Sequence, residues 1–136
     1  YALKQKKIKK KIICLMGDQE LMEGTTWESL HAIDNYKLKN IILIIDRNNS
    51  DYRSIKFLKL KKKLSVFSDK IFEINGHDIN SIEKVLNNCI KSKSFNIVIA
   101  NTIKGFGIKS IANNPAWHHK VPTLEELKFF KNELKV

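Results

Sequence analysis

Ile12-Ile13-Cys14-Leu15-Met16-Gly17-Asp18-Gln19-Glu20 and Ile41-Ile42-Leu43-Ile44-Ile45-Asp46-Arg47-Asn48-Asn49-Ser50 decide how this chain folds. In each, five apolar residues run unbroken and then give way at once to polar ones. A strand with one wet face alternates apolar and polar residues, whereas an unbroken apolar run reads as a strand buried on both faces. Neither run approaches the roughly 20 apolar residues that a membrane-spanning helix needs, so no membrane segment is expected.

Working outward, Thr25-Thr26-Trp27-Glu28 has the spacing of a capping box, and Trp27, Leu30, Ile33 and Tyr36 recur at threes. Together they predict a helix reaching about Lys37. A basic helix is expected around Lys59–Phe67, then a short strand over Ile71–Ile74 closed by the turn pair Asn75-Gly76. Ile79, Ile82, Val85, Leu86, Cys89 and Ile90 form a helical stripe with Asp78 as its N-cap candidate. Asn96–Ile103 holds a fourth strand, and Lys104–Lys120 reads as a loop. Thr123 and Glu126 make a second capping box, with Leu127, Phe130 and Leu134 lining the last helix. Strands with apolar interiors that alternate with helices predict an α/β fold, a parallel sheet with helices on both faces.

A chain of 136 residues with 43% hydrophobic content has room for one domain, spanning 1–136, and for a core that needs no disulfide or metal staple. Cys14 and Cys89 match no metal spacing and read as two reduced core thiols. With no secretory leader visible, a cytoplasmic location is expected. The net charge of +11 rests on 23 lysines and only Arg47 and Arg53. Readers of nucleic acid favour the arginine fork, and Lys, Ile and Asn, all heavily used here, share A/T-rich codons. The charge therefore argues only weakly for a polyanion partner, and no nucleic acid is expected.

In open parallel sheets, ligands bind beyond the carboxyl ends of the strands. If the two decisive strands are neighbours, Asp18 and Asn48 meet there. One carboxylate, one amide oxygen and a backbone carbonyl make half of a hard-oxygen site, of the kind Mg²⁺ completes with phosphate oxygens and water. Asp and Asn after strands are also ordinary turn formers, and spacing alone leaves both readings open.

The run Gly17-Asp18-Gln19-Glu20-Leu21-Met22-Glu23-Gly24-Thr25-Thr26-Trp27-Glu28 resembles the N-terminal, thiamine diphosphate-binding module of transketolases. So do Tyr36–Asn40, Asn75-Gly76-His77-Asp78-Ile79, Thr102-Ile103-Lys104-Gly105 and Asn113–Lys120, in family order along essentially the whole chain. The resemblance implies that Asp18 and Asn48 ligate Mg²⁺, with the Ser50 carbonyl completing the protein's share. Gly17, Asp18, Gln19, Glu20, Asn48 and His118 would then line the cofactor. Glu23 would join a carboxylate network at an interface between subunits, and His118 would reach the cofactor or substrate side of the cleft. Glu23 and His118 are accordingly the catalytic candidates, while His77-Asp78 reads as a turn and a helix cap outside the site.

The implied activity is two-carbon ketol transfer between sugar phosphates. It would be shared with a partner carrying the pyrimidine-binding domain, the C-terminal transketolase subunit, in a hetero- or homo-oligomer. The chain opens at Tyr1, inside what the resemblance makes the helix before the first strand, so a partial, N-terminally truncated module is expected. Two residues depart from the family pattern: Gln19 and His119 stand where glycine is usual. The alternatives are a deoxyxylulose-phosphate synthase-like enzyme, a non-catalytic remnant, and a basic nucleic-acid-binding module.

Overall fold

In the computed structural model, which describes residues 1–49 and 58–135, four strands form one sheet and all neighbouring strands run parallel. The elements follow in the order α1 (Ala2–Gln5), β1 (Ile12–Gly17), a 3-10 turn (Asp18–Met22), α2 (Gly24–Asn35), β2 (Ile41–Arg47) and α3 (Leu60–Leu64). Then come β3 (Ile71–Asn75), α4 (Ile79–Lys91), β4 (Asn96–Asn101), a 3-10 turn (Pro115–Trp117) and α5 (Leu124–Leu134). Spatially the strands lie in the order β1-β2-β4-β3, so β2 and β4 are central and β1 and β3 are edges. Among the described residues, no helix is long and apolar enough to cross a membrane.

Side chains alternate across a strand, and the two central strands use both faces. Leu43, Ile45, Ile97 and Ile99 point to one side, where they pack with Leu30 of α2 and with Leu60 and Leu64 of α3. Ile42 and Val98 point to the other, where Cys89 of α4 closes over them with Val85, Phe72 and Ile74 alongside. This is the predicted two-faced parallel sheet. Burying a side chain of this size contributes about 1.5–3 kcal/mol, and the central strands supply six of them to the core.

The first strand differs from its prediction. Ile12, Ile13, Cys14 and Leu15 are exposed, Leu15 by 70%, and only Met16 is buried. The apolar composition is that of a central strand, but β1 pairs only with β2 and no element of the described chain covers its other side. Cys14 is consequently not a core thiol, whereas Cys89 is. Burial raises the Cys89 thiol pKa, with Lys11 opposing it weakly.

Of the three helix caps expected from the sequence, two form. Asp78 caps α4, its Oδ1 accepting the Asn80 N–H at 3.1 Å. Thr123 and Glu126 form the reciprocal capping box of α5. The expected box at Thr25 and Glu28 does not form, because α2 begins at Gly24 with Glu23 as its N-cap, two residues earlier than that box requires. Thr26 Oγ1 instead donates to the Glu20 carbonyl at 2.7 Å, and Trp27 Nε1 to that of Leu21 at 2.8 Å. These residues tie α2 to the turn after β1 rather than capping it. The last helix also differs: Phe130 is buried, but Leu127 and Leu134 are 41% and 44% exposed. It packs on the loop after β4 through Trp117 against Phe130 and Ser110 Oγ donating to Glu133 at 2.7 Å.

Gly76 joins the ends of the β3 and β4 paths. Its N–H donates to the Asn101 carbonyl at 2.7 Å. A Cβ built there would sit 2.4 Å from Thr102 Cγ2 and 3.2 Å from the Asn101 oxygen. Overpacking of this kind costs about 1–3 kcal/mol. Gly76→Ala should lower unfolding free energy by that amount in a denaturant titration, whereas Gly17→Ala, whose Cβ meets nothing nearer than 3.8 Å, should cost less.

Candidate functional site

The parallel register sets Gly17 beside Asp46, so β1 and β2 end level and their polar continuations emerge together. Asp18 opens the turn after β1 and is 6% exposed, the one buried carboxylate among the described residues. Its Oδ2 accepts the Asn49 N–H at 2.8 Å. Asn49 adopts a left-handed φ of 49°, a conformation that asparagine tolerates better than most residues. Asn48, half-buried, lies between that anchor and the end of β2. Among the described residues, the other Asp18 oxygen, Oδ1, meets only Gln19 Nε2, at 3.5 Å. A buried carboxylate is costly unless it is paired or coordinates a cation, and Oδ1 has capacity to spare.

The neighbours of Asp18 are occupied in different ways. The Glu20 carboxylate turns back to accept the Gly17 N–H at 2.8 Å. Gln19 lies within the 3-10 turn at negative φ, so the backbone does not require glycine there. Glu23 is exposed at the N-cap of α2. Ser50 lies outside the described residues. Among the described residues no group of three or more His, Cys, Asp or Glu converges to hold a metal. A cation at Asp18 would therefore rest on one carboxylate, neutral oxygens such as that of Asn48, and oxygens from outside the chain.

The ends of β4 and β3 form a second tier. Thr102 Oγ1 donates to Asp46 Oδ1, and the Thr102 N–H to the Arg47 carbonyl at 3.1 Å. The next residue, Ile103, donates its N–H to His77 Nε2 at 2.7 Å. The neutral His77 ring therefore carries its proton on Nδ1, and it stacks on Phe106 at 3.7 Å. Lys104 then reaches back to His118, Nζ to Nδ1 at 2.6 Å. His119 stands edge-on to His118 at 4.3 Å. No hydrogen bond among the described residues joins His118 to Asp18.

Sequence reasoning misses two members of this tier. Lys104 stands in a family-like motif that assigns it no role; its one signal is a lysine directly after a strand end and before Gly105, which adopts φ 76°. His77 has the sequence context of a turn former, yet its ring holds the loop that presents Lys104.

Arg47, Glu73 and Asn101 bridge β2, β3 and β4 beside these loops. Arg47 Nη2 lies 2.5 Å from Glu73 Oε1, and Asn101 Nδ2 donates to the same oxygen at 3.2 Å. The Asn101 hydrogen bond is the main cause that holds the Glu73 carboxyl below its usual pKa; Arg47 adds to it and desolvation opposes it.

A parallel α/β sheet whose polar chemistry gathers beyond the carboxyl ends of its strands defines a phosphate- or cofactor-binding class of domain. Residues 2–135 match the family model described as the transketolase, thiamine diphosphate binding domain, and the chain belongs to that family. It is 39% identical to an apulose-4-phosphate transketolase subunit from Actinobacillus succinogenes, over 98% of this chain and 50% of that protein. Human transketolase is 30% identical over 81% of this chain and 18% of its own length. The crystal structure of Campylobacter jejuni transketolase superposes with a TM-score of 0.85 at 30% identity, over 94% of this chain and 21% of that one. The chain spans about half the length of the apulose-4-phosphate transketolase subunits it matches.

The lowered Glu73 pKa has a definite sign. Its stabilising contribution is full above the carboxyl's unfolded pKa and is lost as pH falls through the folded one. Because the Glu73 side chain is 35% exposed, solvent screening limits the gain to the roughly 0.2–1 kcal/mol of a surface pair. Denaturant titrations should find Glu73→Gln less stable than wild type by that amount at pH 7, with the difference vanishing at acid pH.

Proposed function

We propose that this chain supplies the diphosphate- and metal-binding half of a transketolase-like active site, acting in two-carbon ketol transfer between sugar phosphates. The observation that carries this reading is Asp18: a buried carboxylate fixed by the Asn49 N–H through one oxygen, with the other in reserve. That donor set fits a hard divalent cation that takes its remaining ligands from phosphate. Asp18 and the Asn48 amide oxygen would hold Mg²⁺, with the Ser50 carbonyl as third protein ligand. Gly17, Gln19 and Glu20 would shape the turn beside the diphosphate, and Lys104 with His118 would provide cationic and hydrogen-bonding groups on the facing loop. The carbanion chemistry of ketol transfer comes from thiamine diphosphate when it is bound.

The names of the relatives support an enzyme of more than one kind of chain, because those of about twice this length are called transketolase subunits. The partner on this reading carries the pyrimidine-binding domain, and Glu23, exposed at the head of α2, faces the contact between them. The substrate class is a phosphorylated sugar.

Calorimetric titration of thiamine diphosphate with saturating Mg²⁺ into the chain assembled with its partner tests this. Asp18→Asn keeps an oxygen for the Asn49 N–H but removes the charge. It should leave thermal stability close to wild type and weaken binding about ten- to a hundredfold, the worth of a bond to a charged group. Asn48→Ala should weaken it less. Unchanged affinity in Asp18→Asn would show that the metal assignment is wrong.

A further inference from the structure

At the opposite end of the sheet, the amino ends of β1 and β2 open onto a groove of about 860 Å³. Its apolar surface comes from Leu3, Ile8, Ile13 and Ile90, the last three 40%, 54% and 50% exposed. Among the described residues, eight lysines line it and no acidic residue does. Two of them are committed to backbone carbonyls: Lys4 Nζ to Tyr36 at 2.5 Å and Lys11 Nζ to Ser92 at 2.6 Å. The other six, among them Lys9, Lys10 and Lys39, form no ion pair or side-chain hydrogen bond with any described residue.

Unpaired ammonium groups crowded around exposed isoleucines leave two costs standing: like-charge repulsion, and apolar surface in water. One kind of occupant relieves both. We propose that this groove docks an acidic amphipathic segment of a partner polypeptide, with aliphatic side chains against Ile8, Ile13 and Ile90 and carboxylates toward the lysines. Charge complementarity selects the sign of the partner, and the isoleucine floor selects its chemistry. A nucleic acid strand would bring phosphates but no aliphatic groups, and no aromatic ring of the described residues lines the groove to stack its bases. A lipid surface is met by a protruding apolar face, whereas this one is concave. The proposal stands apart from the cofactor reading, since it uses none of the same residues.

Fluorescence anisotropy with the full 136-residue chain tests it. The probe is a labelled peptide of about 18 residues with Glu and Leu on opposite helical faces. The reference peptide replaces every Leu with Ser. Lys9→Glu/Lys10→Glu/Lys39→Glu should weaken Glu/Leu binding about tenfold, the sum of three modest charge contacts. The equally charged control Lys84→Glu/Lys109→Glu/Lys128→Glu, at exposed lysines outside the groove, should change it less than about twofold. The Ser peptide should bind about tenfold more weakly to wild type, a comparison that holds even if a variant fails to fold. Equal losses in the two triple variants, equal binding of both peptides, or no binding would overturn the proposal. So would tighter binding of oligo-dT or of phosphatidylglycerol vesicles through the same three lysines.

Discussion

The parallel register of β1 on β2 is the constraint from which the rest of this domain follows. It fixes Gly17 opposite Asp46, so the chain leaves both strands at one level and two polar continuations are forced together. The hydrogen bond from the Asn49 N–H to Asp18 is the direct result, a contact across 31 positions of sequence. A slip of one residue would turn every apolar side chain of β1 to the other face and move Asp18 off its anchor. Fold and candidate site therefore share one determinant. The same pairing that aligns Met16 with Ile45 in the core aligns the carboxylate with its partner beyond the strand ends.

The second tier depends on the first through Asp46. That residue ends the pairing with β1, and its carboxylate receives the Thr102 hydroxyl from the end of β4. From Thr102 the loop is pinned stepwise, Ile103 to His77 and Lys104 to His118, while α5 closes over its outer side through Phe130 and Glu133. Loops over strand ends are ordinarily the mobile part of such a sheet. Here each residue from 102 to 104 has a bond to a different part of the chain, Asp46, His77 and His118 in turn, which holds an exposed histidine and a half-buried lysine at a set separation.

Much of this is legible in the sequence, for identifiable reasons. Unbroken apolar runs at Ile41–Ile45 and Ile97–Ala100 mark the central strands, because a strand buried on both faces tolerates little polarity. Asp78 and Thr123 mark helix starts, because capping is a local interaction. What composition does not convey is neighbourhood. Ile12–Met16 has the same apolar character as the central runs, yet among the described residues β1 pairs with β2 alone and most of its side chains stay exposed. Thr25 and Glu28 have the spacing of a cap, but α2 begins at Gly24, and Thr26 and Trp27 between them bond back to the preceding turn. Within the site, Asp18 and Asn48 can be paired from two strand ends. The Lys104–His118 contact, across 14 positions of irregular chain, follows no period and is visible only in three dimensions.

The charge at the strand ends bears on how an anion could be received there. Asp18 is a buried negative group, and alone it would repel a diphosphate. Asn48 beside it is a neutral amide rather than a second carboxylate, which keeps the formal charge of the pair at one negative unit. On the reading proposed above, a divalent cation would reverse that sign, leaving the pair attractive to phosphate without any arginine fork. Lys104, held at His118, adds positive charge to the facing loop. The lysines around the groove lie at the other end of the strands, beyond the ~10 Å over which exposed charges act at moderate salt. With strands of six and seven residues rising about 3.3 Å each, the two ends are roughly 20 Å apart. The two ends of the strands therefore differ in sign: at one, carboxylates gather around the buried Asp18 and what it coordinates, and at the other lysines line the groove with no carboxylate of the described residues among them.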